Sequence, residues 1–417
     1  MTHDPNQNST AHNRVATMVA SGPEQTTAID CGNGIFENKG IGSSYLVTTP
    51  AGNVLINTGT LRDARRGKDL FNAASSHPIH TIILTQSHVN QYGGLELYKN
   101  SENQVIAHRI YVDDLRYSAM LSDHYRRGSR RIFGNITGSS EDLLPTRTIS
   151  PDRLIDDHYQ FELGGRKFEL IWTPGGETRS ALIVWLPQTR VALVGNLFGP
   201  LFGNQPNLNT LRGDKPRSAL EFIESVRCVR ALNPTQILTG HENIQGETHI
   251  AESLTRIIAS VQWVHDHTVA GMNQGKTLNA LMNEVQPPPE LALTEEYGKV
   301  SWNVRAIWHE YTGWYDPSSG ITGLFPGSAS AIEPTLIDLC GGCDPLLEAA
   351  NNYCANLQPL AALKMLDILN NAGVRSSNIE QARRDALLVL QQQCGDHNLW
   401  ERRFIAAALA ELDSSEN

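Results

Sequence analysis

From about residue 42 to residue 245 short β-rich runs alternate with amphipathic helical stretches, and beyond about residue 330 the strand signals stop. That one change of pattern limits the available folds more than anything else in the chain. The β-rich runs fall at 44–48, 53–57, 79–85, 104–107, 168–173, 180–186, 190–194 and 236–239, with helical segments such as 61–75 and 215–231 between them. Strands that exchange with helices, and a hairpin turning through Pro187-Gln188, imply mixed sheets covered by helices, an α/β sandwich. No G-x-G-x-x-G or Walker loop opens a helix, so a nucleotide-binding fold has no support. Later, 344–356, 359–371, 378–393 and 399–412 carry apolar residues at helical spacing between Gly, Asn and Ser punctuation. They predict an all-α bundle whose apolar face packs on the first domain or on a second subunit.

The 417 residues, 40% hydrophobic and 19% charged, suffice for two or three domains. A formal charge of −10 gives no general attraction for nucleic acid or anionic lipid, so an anion site must be a local cluster of Arg and Lys. The run Arg126-Arg127-Gly128-Ser129-Arg130-Arg131 is one such cluster, read first as a solvated helix end. The polar N-terminal stretch, residues 1–28, is expected to be a flexible or swapped tail. It lacks the apolar core of a signal peptide, and no apolar run approaches the roughly 18 to 20 residues that span a bilayer. The expectation is a cytoplasmic protein with no membrane partner. Six cysteines are too sparse for a disulfide scaffold. Cys340-Gly-Gly-Cys343 has redox or zinc spacing, but without a second such pair it reads first as a helix start.

The chemistry is expected at strand ends. Thr85-Gln86-Ser87-His88-Val89-Asn90-Gln91-Tyr92-Gly93-Gly94 closes a buried apolar strand, and Gly93-Gly94 allow the following helix a close approach. Three later loops, Thr173-Pro174-Gly175-Gly176-Glu177, Val194-Gly195-Asn196 and Thr239-Gly240-His241, each place a polar side chain just after a strand. A dinuclear hydrolase site needs imidazoles and carboxylates converging on two cations about 3.5 to 4 Å apart.

These loops resemble the metallo-β-lactamase superfamily, whose H-x-H-x-D-H-x-G-G motif aligns with Gln86–Gly94 with only the middle histidine kept. The stretch Asn207-Leu208-Asn209-Thr210-Leu211-Arg212-Gly213 with Lys215 and Arg217, and Val304–Trp308 with Tyr311–Asp316, are similar to the alkylsulfatase branch. The resemblance implies a metallo-β-lactamase αββα sandwich over 29–325, followed by a helical dimerisation domain over 326–417 and a homodimer. A sterol-carrier-like third domain is not expected. It also implies a first metal at Gln86, His88 and Glu177, a second at Asn90, Gln91 and His241, and Asn196 where a carboxylate bridges them. Four of these seven positions are amides, which removes the charge and the nitrogen donors on which zinc affinity rests. The implied substrate is a small amphipathic anion, bound by Asn209, Thr210, Arg212 and Arg217 together with Gln86, Asn90, Gln91 and Asn196.

Three readings stay open at this point. His88, Glu177 and His241 converge on one divalent ion, iron or zinc, in a depleted catalytic centre. Alternatively no metal binds, and the amides form a polar pocket for a lyase, isomerase or hydrolase, with His88 or His241 as general base and Glu177 or Glu242 as its partner. In the third reading the chain binds a ligand without catalysis. The apolar loop 197–203 and Trp314 are expected to accept a hydrocarbon tail or to pack internally. His309 and Tyr311 are expected at the pocket mouth. His108 and His124 are read as ordinary core or surface residues.

Overall fold

Along each strand successive side chains point to opposite faces, and in the central strands of this chain both faces are buried and largely apolar. The computed structural model describes residues 14–15, 22, 24–133, 149–208, 211, 213–315, 317–325 and 331–415. One compact unit, Arg14–Tyr311, contains two sheets. The first runs in chain order through β1 (Ile29–Asp30), β2 (Ile35–Asn38), β3 (Ser44–Thr49), β4 (Gly52–Ile56), β5 (Ile79–Ile83), β6 (Gln104–His108) and β7 (Arg153–Ile155). It is antiparallel up to β4 and parallel from there. The second contains β8 (His158–Leu163), β9 (Arg166–Trp172), β10 (Leu182–Leu186), β11 (Val191–Gly195), β12 (Gln236–Thr239) and β13 (Asn243–Gln245), adjacent in that order. Only β11 and β12 pair parallel.

Val54, Ile56, Ile83 and Ile106 of the first sheet meet Phe168, Leu170, Val184 and Leu193 of the second in a buried seam. Their neighbours one step along, Leu55, Ile82 and Val105, cluster instead with Ala64 and Phe71 of the helix Leu61–Ala74. On the other sheet Ile183, Trp185 and Ala192 join the helices Ala219–Ala231, Glu247–Asn273 and Val300–Thr312. Helices therefore cover both outer faces, the αββα layering expected from the sequence. Each fully buried aliphatic or Phe side chain contributes about 1.5–3 kcal/mol to this arrangement.

Strands β1, β2, β7, β8 and β13 were not anticipated. Four of them are two to four residues long, too short to show a period. The fifth, β8, is half exposed and carries His, Gln and Glu.

The second unit, Thr312–Asn417, contains no strand among its described residues. All four expected helices form, as Cys343–Ala355, Pro359–Asn371, Ser377–Cys394 and Leu399–Ser415. A fifth, Glu333–Leu339, precedes them; at seven residues its period is brief. Pro359 begins its helix where a missing N–H costs nothing, and the Ser376 side chain accepts from the Ile379 amide to cap the next. Ile337, Leu346, Ala350, Leu366, Leu369 and Ala386 form the core. Gly341 and Gly342, at φ 85° and 115°, make the turn between the first two helices of this bundle. The Cys340–Cys343 spacing thus serves a turn, and none of the six cysteines is in a disulfide. Among the described residues no helix is long and apolar enough to cross a membrane.

Candidate functional site

Four loops that follow β5, β9, β11 and β12 meet on one side of the sandwich unit. The first is anchored by Asn57, whose side chain accepts from the Thr85 amide at 2.9 Å and donates to the Thr85 hydroxyl at 2.9 Å. The Leu182 amide of β10 donates to the Thr85 carbonyl at 2.9 Å, tying this loop to the opposite sheet. His88 then stands at the start of the short helix Val89–Tyr92. Of the two glycines that follow, Gly94 is the one the packing requires, since a Cβ there would overlap the Ala64 methyl. The Glu177 loop is held by a bond of 3.0 Å from the Gly175 amide to the Ser225 hydroxyl.

His88 lies between two carboxylates. Its Nδ1 is 3.5 Å from Glu177 Oε2, and its Nε2 is 3.7 Å from Asp214 Oδ2. The Gln86 amide nitrogen is 3.1 Å from Nδ1. Asn196 donates to Glu177 Oε2 at 3.2 Å and accepts from Gln91 Nε2 at 3.1 Å. Gly240 gives these two amides room, because a Cβ there would meet both Asn196 and Gln91. Buried Arg217 spans the network, with 3.3 Å to Asp214, 3.9 Å to Glu177 and 2.5 Å to the Asn207 carbonyl. A cleft opens over this floor, lined in part by His88, Glu177, Arg179, Asp214 and Lys215. The Lys215 ammonium sits 4.9 Å from the Tyr117 ring centre.

Several expectations change. Among the described residues no three His, Cys, Asp or Glu side chains are close enough to hold a metal ion, so His88, Glu177 and His241 are not assembled as the expected three-donor set. Asn90 donates to the Ile41 carbonyl at 3.4 Å. Arg217, expected on the substrate, lines the cleft and also pairs with two carboxylates and a carbonyl. Glu242 accepts from the Phe202 amide at 2.5 Å. Phe198 packs edge-on against Phe202, ring centres 4.9 Å apart, and joins the helix-side core with Leu197 and Trp308. The apolar loop is therefore core. Tyr311 bonds His265 at 2.7 Å on the long helix Glu247–Asn273. Asn209, Thr210 and Arg212 lie outside the described residues.

Asp214, Lys215, Ser87 and Asp114 belong to the site and were missed as functional residues. Asp214 and Lys215 adjoin the motif stretch, but no spacing rule distinguishes them. Asp114 accepts from Ser87 at 2.9 Å and from Ser180 at 2.7 Å, and so links the His88 loop to the Glu177 loop. Nothing in its helical context signals this.

His241 is 7% exposed, and burial pushes its imidazole down to about 4, with Glu177 opposing that shift. The unfolded chain takes up this proton near 6.5, whereas the folded chain resists until about 4. Stability is expected to fall as pH drops through that window, by up to about 1.4 kcal/mol per pH unit from this group. His241→Gln should reduce the difference between denaturation midpoints at about pH 7 and about pH 5; an unchanged difference contradicts the assignment.

The metallo-beta-lactamase superfamily profile matches residues 38–241, and the alkyl sulfatase dimerisation profile matches residues 277–415. A linear primary-alkylsulfatase of Pseudomonas sp. is 26% identical over 340 residues, covering 74% of this chain and 62% of the relative. An alkyl/aryl-sulfatase of Saccharomyces cerevisiae is 23% identical over 410 residues, covering 90% and 62%. The chain thus spans less than two thirds of either relative. The solved stereoselective inverting sec-alkylsulfatase of Pseudomonas sp. superposes with a TM-score of 0.81 at 20% identity, over 93% of this chain and 65% of that one.

Proposed function

Since the chain joins a metallo-β-lactamase domain to an alkyl sulfatase dimerisation domain, and so belongs to that superfamily in its alkylsulfatase-like form, we propose that it binds and turns over a small amphipathic anion of the alkyl sulfate class. One observation carries this reading: His88 stands between Glu177 and Asp214 under a cleft lined by Lys215 and Arg179. Two cationic side chains offer an anionic head group its counter-charge. The imidazole, set between two carboxylates, can hold or deliver a proton to a leaving oxygen. The relatives named above support the substrate class.

The superfamily normally holds divalent metal ions, which supply a polarised water for ester cleavage. The residues here do not fit a metal pair. Gln86, Asn90, Gln91 and Asn196 offer neutral amide groups, and Glu177 Oε2 accepts from an amide N–H. Among the described residues His88, Glu177 and His241 are not gathered into a three-donor set for a single cation either. Turnover is expected to be far below that of a dinuclear enzyme.

The helical unit is proposed to pair with a second copy. Leu339, Leu357 and Leu360 on it are 79%, 66% and 65% exposed, apolar area that a single copy of this unit leaves in water.

Decyl sulfate tests the reading. Titration calorimetry should detect binding, and ion chromatography should detect slow sulfate release that His88→Ala lowers by about 100-fold or more. No binding and no release by the native protein defeats the proposal.

A further inference from the structure

We propose that the amide chain Gln91–Asn196–Glu177 replaces the metal ions structurally, so that the site is built and held without any divalent cation. This rests on the reading of the cleft as an anion site, and it deepens that reading.

The argument is one of hydrogen-bond polarity. A carboxylate facing a second carboxylate needs a cation or a shared proton between them, because the two like charges repel at contact distance. Here the facing group is an amide, and it points its N–H at Glu177: Asn196 Nδ2 to Glu177 Oε2 is 3.2 Å. The opposite end of the same amide accepts from Gln91 Nε2 at 3.1 Å. The chain of donors therefore runs in one direction and ends on the carboxylate. Both amides are buried, Gln91 fully and Asn196 at 3% exposure, so neither can exchange this partner for bulk water.

One of the carboxylate oxygens a metal would use is engaged by an amide, and the other, Glu177 Oε1, faces the Arg217 guanidinium at 3.9 Å. Glu177 Oε2 already faces Asn196 and His88 Nδ1, and the Gln86 amide also approaches Nδ1. Positive charge comes from Arg217, buried between Glu177 and Asp214. On the side of His241 the remaining buried atoms are Gln91 Oε1 and His241 Nδ1, which have no hydrogen-bond partner. A neutral oxygen and a ring nitrogen provide no charge to offset the desolvation of a dication.

The test measures metal and anion separately on the full chain. Native protein exchanged into zinc-containing buffer and then desalted should retain fewer than about 0.1 zinc ions per chain by elemental analysis. Decyl sulfate binding should be unchanged by EDTA. Asn196→Asp turns the donor into an acceptor against Glu177, and its melting midpoint should drop by about 4 °C or more and recover when zinc is added. The combined Gln86→His, Asn90→Asp, Gln91→His, Asn196→Glu protein should take up about two zinc ions. One zinc per native chain, lost on His88→Ala, overturns the inference, as does anion binding that EDTA abolishes. If Asn196→Asp does not fold, the native zinc titration decides alone. Absence of anion binding with and without zinc defeats the functional reading and leaves the metal result standing by itself.

Discussion

Replacing Arg217 with alanine is expected to destabilise the sandwich unit by about 3–5 kcal/mol and to abolish anion binding at the cleft. The guanidinium is 8% exposed and touches Asp214, Glu177 and the Asn207 carbonyl. Deleting it leaves Glu177, itself 8% exposed, with its charge buried and no longer compensated. Glu177 and Asp214 are the two groups that orient His88, so their movement would also misplace the imidazole. Arg217→Lys keeps the charge but not the planar fork that reaches three acceptors, and should recover only part of the loss. Denaturant unfolding and decyl sulfate calorimetry on both variants check this. A stable Arg217→Ala protein that binds normally would show that the guanidinium is peripheral.

Leu366→Ala should remove about 2–5 kcal/mol from the helical unit. Leu366 is fully buried at the centre of its bundle, on a helix clustered with Ile337, Leu346 and Ile379 from three others. A cavity there weakens contacts among all of them. The sandwich unit has its own separate cores, so the lower-temperature part of the unfolding trace should move while the site is untouched. Light scattering should report loss of the proposed dimer under conditions where the native protein keeps it. Concerted loss of decyl sulfate binding in dilute, still folded monomer would show instead that the site depends on the partner copy.

The layer order was legible because strands with both faces apolar, such as Leu182–Leu186, can only be central, and because amphipathic helices follow them. The helical unit was legible for the same reason of period. Edge strands such as Ile29–Asp30 were not, since two exposed residues leave no pattern. Within the site, Glu177, Asn196 and His241 each adjoin a glycine just after a strand, and His88 lies in the loop after another, so the sequence places all four in loops at strand ends. Their partners were less readable. Asp214 and Asp114 act through distances that only tertiary packing sets, and the sequence does not reveal that the Arg217 guanidinium at the cleft is also paired with two carboxylates. Phe198 and Phe202 illustrate the same ambiguity for apolar groups, where a core contact and a substrate contact have identical composition.

Asp114 sits on the helix Ile110–Met120, yet its one oxygen receives hydroxyls from both Ser87 and Ser180. Those serines flank His88 on one sheet's loop and follow Glu177 on the other's. Under the proposed function a displacement of that helix would move both loops together, and with them the spacing of His88 from Glu177 beneath the cleft. In such a coupled arrangement admission of a ligand and readiness for chemistry are not independent adjustments, and a change that widens one resets the other.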